Sequence, residues 1–461
     1  MNRYIGDRTF YGKVFSVLLP ILIQNFITNF VSLLDNIMVG QVGTEPMSGV
    51  AIVNQLIFVY NLCALGGLSG AGILTAQYYG KGDQEGIRHT LRIKLLLSAV
   101  IFLLFGGLLV TFGENMIRLF LHEGSEGLDL AATLAYGKEY LQVMLLQLLP
   151  FIITMMYAST LRETGETLVP MKAGLTAVFV NLVFNYILIF GKFGAPALGV
   201  VGAAIATVIA RFVEMILVVS WTHRHKERNG FIVCAYRSLK VPSSVLRQVV
   251  LLGMPLLLNE LMWSGGMTVL NQCYSLRGLE VVSAMNISIT VSNLFFSAFI
   301  ATGNATAILV GQLLGAGETE RAVDEDRKLI FFAVVLSLGI GLLMASAAFV
   351  FPQIYNTTRA VKKLAHDILL IGAVMMPLHA FANSCYFTLR SGGKTLITFV
   401  FDSGSLWLLN IPVAFVLSRF TAVPILQMYL TIELLNLVKC AVGFVLVRQK
   451  KWVKNLVADE A

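Results

Sequence analysis

Along this chain, apolar residues come in long runs broken by Gly, Pro or charged positions. The breaks leave twelve runs, at about 13–38, 47–79, 93–113, 132–158, 168–190, 197–221, 246–274, 281–314, 328–350, 361–389, 395–418 and 423–447. About 20 residues of helix cross a bilayer's hydrocarbon core, so each run reads as one membrane-spanning helix. Several runs exceed that minimum and are expected to tilt or protrude.

Composition agrees with this reading. The chain has 461 residues, of which 57% are hydrophobic and 13% charged, with a mean hydropathy of +0.77. A soluble domain carries about 25% charged residues, so the balance excludes a soluble enzyme, a disordered chain and a disulfide-knit secreted domain. The five cysteines (Cys63, Cys234, Cys273, Cys385 and Cys440) form no CxxC and no His/Cys cluster, which argues against a disulfide framework or a structural zinc site. MNRYIGDRTFYGKV runs into the first apolar stretch with no small-residue cleavage site, so that stretch is expected to be a retained helix.

Charge then orients the spans, because cytoplasmic loops collect Lys and Arg. With the N-terminus inside, 24 of the 34 basic residues fall on inside loops and eight on outside loops; Arg211 and Lys439 lie within spans. Both termini are therefore expected in the cytoplasm. The cluster Arg359–Lys363 is the one loop that disagrees. The net charge of +8 reflects this topology, and no nucleic-acid partner is implied.

The sequence is also an internal duplication. At an offset of 235, Pro20 meets Pro255, Asn36 meets Asn271 and Glu45 meets Glu280, while AQYYGKGD lies over VGQLLGAGE with Gln77, Gly80 and Gly82 on Gln312, Gly315 and Gly317. At an offset of 228, TLRETGET (Thr160 to Thr167) lies over TLRSGGKT (Thr388 to Thr395) and Arg211 over Lys439. Six spans return the chain to its starting side, so the halves are parallel repeats. The expected fold is all-α and polytopic: a lobe at 1–221, a charged cytoplasmic linker at 222–245 and a second lobe at 246–461. Two such lobes suit alternating access by rocking.

Five carboxylates fall inside spans: Asp35, Glu214, Glu260, Asp402 and Glu433. An intramembrane carboxylate is costly, about 2.5–3.5 kcal/mol on insertion scales, and so marks a candidate site. Glu214 sits three residues from Arg211, a spacing that suits mutual neutralisation, and Glu433 stands less closely to Lys439. On the first span, at about 100° per residue, Gln24, Thr28 and Asp35 share an arc that Asn25, Asn29, Ser32 and Asn36 widen to about 140°. Lipid would not tolerate that face, so it turns toward protein or an aqueous cleft. Asn181 and Asn185 put two amides on one face of the fifth span. A carboxylate with amide and hydroxyl oxygens suits a sodium ion or a proton, and equally a helix–helix hydrogen-bond cluster. In the second half, Asn259 and Glu260 sit mid-span, and His379 and Asn383 form another i,i+4 pair. Asp402 is either part of this set or a charge paired with Lys394 or Arg390. The eighth span carries Asn286, Ser288, Thr290, Ser292, Asn293 and Ser297, which fit a wet wall or tight packing. No hydrolase, zincin or nucleotide-binding signature appears in its required context, and no cytosolic segment is large enough to hydrolyse ATP. A pump built on this chain would run on an ion gradient.

LPILIQN (Leu19 to Asn25), LLDNIMVGQVG (Leu33 to Gly43), AQYYGKGD, TLRETGET with its repeat TLRSGGKT, and GVVGAAIAT (Gly199 to Thr207) together resemble the multidrug and toxic compound extrusion (MATE) family of cation-coupled antiporters, from about residue 12 to 448. The resemblance implies twelve helices in two lobes around a V-shaped cleft, with sodium or protons exchanging for amphipathic, often cationic drugs. By position it implies a first-half cation site of Asp35, Asn181, Asn185 and Thr207, with sodium at Asp35 and Asn181. Asn185 stands where some members have a second Asp. It implies a second-half set of Glu260, His379 and Asn383. Sodium-coupled members place an Asp at the position of His379; eukaryotic relatives use His there, followed one turn on by a Glu where this chain has Asn383. Gln24, Thr28, Asn36, Asn259 and Asp402 are candidate cleft residues.

The expectation is a non-enzymatic, multi-pass exporter in the cell membrane, monomeric, in contact with membrane lipids and with no cofactor beyond the coupling ion. The alternatives are a lipid-linked oligosaccharide flippase of the same superfamily and a polytopic membrane enzyme. The flippase would commonly add helices or a strongly cationic cleft, and the enzyme would need a His/Asp or Ser/Lys constellation.

Overall fold

Each apolar run winds into a helix: α1 (Arg8–Gly40), α2 (Thr44–Lys81), α3 (Gln84–Phe120), α4 (Leu130–Glu163), α5 (Leu168–Phe190), α6 (Gly199–Arg224), α7 (Ser243–Ser275), α8 (Leu279–Gly315), α9 (Thr319–Ile354), α10 (Arg359–Ser391), α11 (Thr395–Phe420) and α12 (Ile425–Arg448). The structure is a computed structural model that describes residues 4–121, 129–355 and 357–458, with side chains except at Ser32, Leu33, Asn36, Ile37 and Thr44. Twelve helices are long and apolar enough to cross a membrane, and no strand occurs among the described residues.

Several helices outrun their apolar segments. α3 and α9 extend well past 93–113 and 328–350, because their charged ends are helical too. On α9, Arg321 pairs with Glu318 and Glu325 at 2.7 and 2.8 Å, and Lys328 with Asp324 at 2.6 Å, all at i,i+3 or i,i+4 spacing. The 37 residues of α3 cover about 55 Å at 1.5 Å each, against a hydrocarbon core of about 30 Å, so their ends stand beyond it. Mid-helix, Leu103, Leu104 and Val110 on α3 and Leu342 and Leu343 on α9 are each at least 63% exposed. An apolar surface of this kind is what lipid covers.

The chain divides into two compact units: Ile23–Thr75 with Gln84–Val250, and a second made of Met1–Leu22, Ala76–Asp83 and Leu251–Ala461. Within the first, Val53, Tyr60, Ile117, Leu148, Ile152 and Ala204 belong to one core. α4 tightens to a 3₁₀ turn at Leu145–Gln147, just ahead of Pro150, which has no N–H for the helical ladder. The segment 222–245 is bound down: Arg92 of α3 donates to the carbonyls of Ala235 (2.8 Å), Cys234 (3.1 Å) and Lys240 (3.2 Å), and Phe231 and Ile232 are buried.

In the second unit, the QxxGxG motif and its repeat pack on each other. A Cβ on Gly80 would fall 1.8 Å from the Gln312 carbonyl oxygen, and one on Gly315 would fall 1.9 Å from that of Gln77. The duplicated glycines are thus a reciprocal crossing of two backbones. The Gln77 amide next to it donates to the carbonyls of Ser391 (3.1 Å) and Lys454 (3.3 Å) and accepts from Leu456 N (2.7 Å), tying in a C-terminal segment whose Trp452 is buried with Phe10, Val14 and Leu314. α11 is π-helical over Val400–Gly404 and Leu406–Asn410, a geometry that re-aims side chains and recurs at functional sites.

Candidate functional site

The first-half candidates converge. α1 turns its polar arc toward α5: Gln24 packs over Gly174, where an added Cβ would meet its Nε2 at 2.7 Å. Farther along α1, Asp35 Oδ1 accepts from Asn185 Nδ2 at 2.7 Å, and Asn185 Nδ2 also reaches Asn181 Oδ1 at 3.2 Å. The i,i+4 spacing of the two asparagines and their burial put both amides on one inward face. Thr207 of α6 lies 3.3 Å from the Asn181 amide. Turned over, that amide exchanges its bond with Asn185 for Asp35, bringing its nitrogen to 3.0 and 3.1 Å from the Asp35 oxygens while its oxygen accepts from Thr207. Asn185 Oδ1 is buried and has no hydrogen-bond partner among the described residues. A buried carbonyl oxygen without a donor is costly; a cation or a proton donor beside Asp35 would supply what it lacks. Thr28 is exposed, and the side chain of Asn36 lies outside the described residues. Arg211 and Glu214 pair at 2.9 Å, as their spacing requires.

The second half arranges its polar groups differently from the sequence reading. Asp402 meets neither Lys394 nor Arg390 in an ion pair; its partners are Lys439 of α12 at 2.6 Å and Asn259 of α7 at 3.1 Å. The π-helical stretch around it carries the carboxylate toward α7 and α12, which helical periodicity could not foresee. Asn259 is buried and also takes Ser403 Oγ on its amide oxygen at 2.7 Å. With Lys439 on Asp402, Glu433 pairs instead with His379, Oε2 to Nε2 at 2.8 Å. His379 and Asn383 diverge despite their shared face, since Asn383 donates to the Phe299 carbonyl at 2.8 Å. Glu260, next to Asn259, makes no hydrogen bond or ion pair with any of these groups among the described residues. The second-half candidates therefore fall into two separate pairs, Asp402–Lys439 and His379–Glu433, with Glu260 apart from both.

Two further buried ionisable groups sit at the span ends, Lys94 just inside the run 93–113 and Asp326 just ahead of 328–350. Lys94 of α3 meets Glu163 at 2.6 Å and the hydroxyls of Ser159 and Thr160 at 3.0 Å each. Asp326 of α9 meets Thr388 at 2.5 Å. Thr160 and Thr388 are the matching threonines of the duplicated TLR motif, so each repeat sets a buried ionisable group against the same hydroxyl. The signal in the sequence was the motif itself, which turns out to be a packing site. Among the described residues, no three His, Cys, Asp or Glu side chains gather as a metal centre.

Against known proteins, the model of the family described as MatE matches residues 20–187 and 255–416. The two stretches begin 235 positions apart, the offset that aligns Pro20 with Pro255. The chain is 26% identical over 421 residues to a "Probable multidrug resistance protein NorM" of Thermotoga maritima, covering 88% of this chain and 86% of that one. It is 26% identical over 420 residues to the "Multidrug resistance protein MdtK" of Pectobacterium atrosepticum, with coverages of 91% and 89%. Its fold matches a solved structure described as the outward-facing conformation of a multidrug resistance MATE family transporter of the MOP superfamily, with a TM-score of 0.87, 19% identity and 97% coverage of both chains.

Proposed function

The chain belongs to the MatE family of multi-pass membrane transporters, and from that premise we propose that it is a cation-coupled antiporter. In this reading, sodium or a proton moving down its gradient exchanges for small amphipathic, often cationic organic compounds. The observation that carries it is the Asp35, Asn181, Asn185 and Thr207 cluster, a part-buried carboxylate among oxygen-bearing side chains with one amide oxygen unclaimed among the described residues. Carboxylate, amide and hydroxyl oxygens form a hard donor set suited to sodium. The same carboxylate can instead carry a proton, with the asparagines reorganising around its two states. Binding the cation neutralises Asp35 and changes which donors it holds, so α1, α5 and α6 would feel the coupling ion directly.

The second half would contribute Glu260 and the His379–Glu433 pair, with Asn259 and Asp402 positioned by Lys439. Residues 1–221 and 246–461 would act as the two lobes, joined by the linker 222–245, with both termini cytoplasmic in the cell membrane. The names carried by the relatives support drug-like substrates.

The test is efflux of cationic dyes from proteoliposomes with sodium and pH gradients imposed separately. One gradient should drive efflux in the wild type, and Asp35→Asn should abolish coupling while leaving expression intact. Indifference of the wild type to both gradients, or wild-type coupling in Asp35→Asn, sinks the reading.

A further inference from the structure

The cluster Arg359–Lys363, which runs against the charge bias of the loops, lines an open cavity of about 380 Å³ with Gln353 and His366. Arg359, Lys362, Lys363 and His366 follow i, i+3, i+4 and i+7 spacing, which places all four on one face of the first two turns of α10. Thr358 caps that helix by accepting from Val361 N at 3.3 Å, so the positive end of the helix adds to the same field. Lys362 donates to the Gln353 carbonyl at 3.3 Å, folding back across the cavity, and the nearby acid Asp367 is engaged by His366 Nδ1 at 2.9 Å. Arg359 and Lys363 have neither an ion pair nor a hydrogen bond among the described residues.

Four other basic residues assigned to the same side are provided for. Arg118 and Lys138 share Glu114 at 2.8 Å each. Arg277 donates to the carbonyls of Leu417 (2.6 Å) and Thr421 (2.8 Å), and Arg419 lies over Phe415 at 4.8 Å. Apart from the exposed Lys192, Arg359 and Lys363 are the basic residues on this side that no described residue engages, and they share one cavity.

The surface beneath it is apolar. Phe349 lies one turn before Gln353 on α9, about 6 Å farther into the membrane, and its ring meets His366 at 4.7 Å. Phe349, Val350 and Ile354 are all largely exposed. A cationic recess above a bare apolar helix face matches a molecule with an anionic head and acyl chains. We propose that this cavity binds the phosphate headgroup of an anionic phospholipid, with the acyl chains lying along the end of α9.

The experiment uses the purified full-length protein in detergent, titrated with phosphatidylglycerol, phosphatidylcholine or inorganic phosphate, and reads the melting temperature and the lipid bound by native mass spectrometry. Phosphatidylglycerol should bind and raise the melting temperature where phosphatidylcholine and phosphate do not. Arg359→Gln with Lys363→Gln should weaken phosphatidylglycerol roughly thirtyfold, from the usual contribution of a basic residue at an anionic membrane surface. Lys138→Gln should leave that affinity unchanged. Should the double variant fail to fold, Lys363→Gln alone should cost about fivefold on the same basis. Wild-type phosphatidylglycerol affinity in the variants, no preference over phosphatidylcholine, or an equal response to inorganic phosphate overturns the proposal.

Discussion

Removing the carboxylate from the Lys94–Glu163 pair gives a test whose size follows from the geometry. The Lys94 ammonium is fully buried and lies 2.6 Å from Glu163 Oε2. At that distance and an effective dielectric of about 20, the attraction is roughly 6 kcal/mol. Desolvating two charges offsets much of this, so the pair adds little net stability, whereas orphaning one charge costs about 3–5 kcal/mol. Glu163→Gln keeps the shape and leaves the ammonium with neutral oxygens only. Lys94→Met with Glu163→Leu removes both charges. Ser159 and Thr160 would still hold their bonds to the Met156 carbonyl at 3.1 and 2.9 Å. The single variant should lose about 3–5 kcal/mol, and the double variant no more than about 1 kcal/mol. Unfolding free energies from SDS titration of micelle-solubilised protein, assembled into a double-mutant cycle, measure both. A single-variant loss below about 1 kcal/mol, or costs that simply add in the double variant, would refute the idea that burial makes this pair mutually dependent.

Gly80→Ala should destabilise by about 1–3 kcal/mol or more, because its Cβ would strike the Gln312 backbone; Gly107→Ala, with open space around it, is the control for thermal stability and should be neutral or better. His379→Leu takes from Glu433 its 2.8 Å partner and leaves it the Tyr429 hydroxyl and the Asn436 amide, so it should cost about 1–3 kcal/mol; its melting temperature should recover when Glu433→Leu is added. Arg92→Ala removes three bonds to the linker, so trypsin should cut after Arg237 and Lys240 several times faster than in the wild type. Equal digestion rates would show that the tether does not hold that segment.

Sequence and structure agree most closely where one helix decides the outcome. The span positions and the face shared by Asn181 and Asn185 follow from helical period alone, and Thr207 was reached through its motif. Span ends were misjudged on α3 and α9 because charged residues read as loop are helical when they pair along the helix. Lys94 and Asp326 were hidden because their partners stand on other helices, Glu163 on α4 and Thr388 on α10. The partners of Asp402, Glu433 and Asn383 were not legible, since each bond crosses between helices whose rotation the sequence leaves unstated.

By itself, then, the sequence determined a twelve-span duplicated membrane protein with a carboxylate on a polar arc of its first span and two amides on one face of its fifth, because burial in lipid dictates helix and helix dictates which residues share a face. Tertiary structure alone decided that Lys439 takes Asp402 and His379 takes Glu433. A π-helical stretch in α11 shifts the register of one face against its neighbours, and pairing across helices depends on that register.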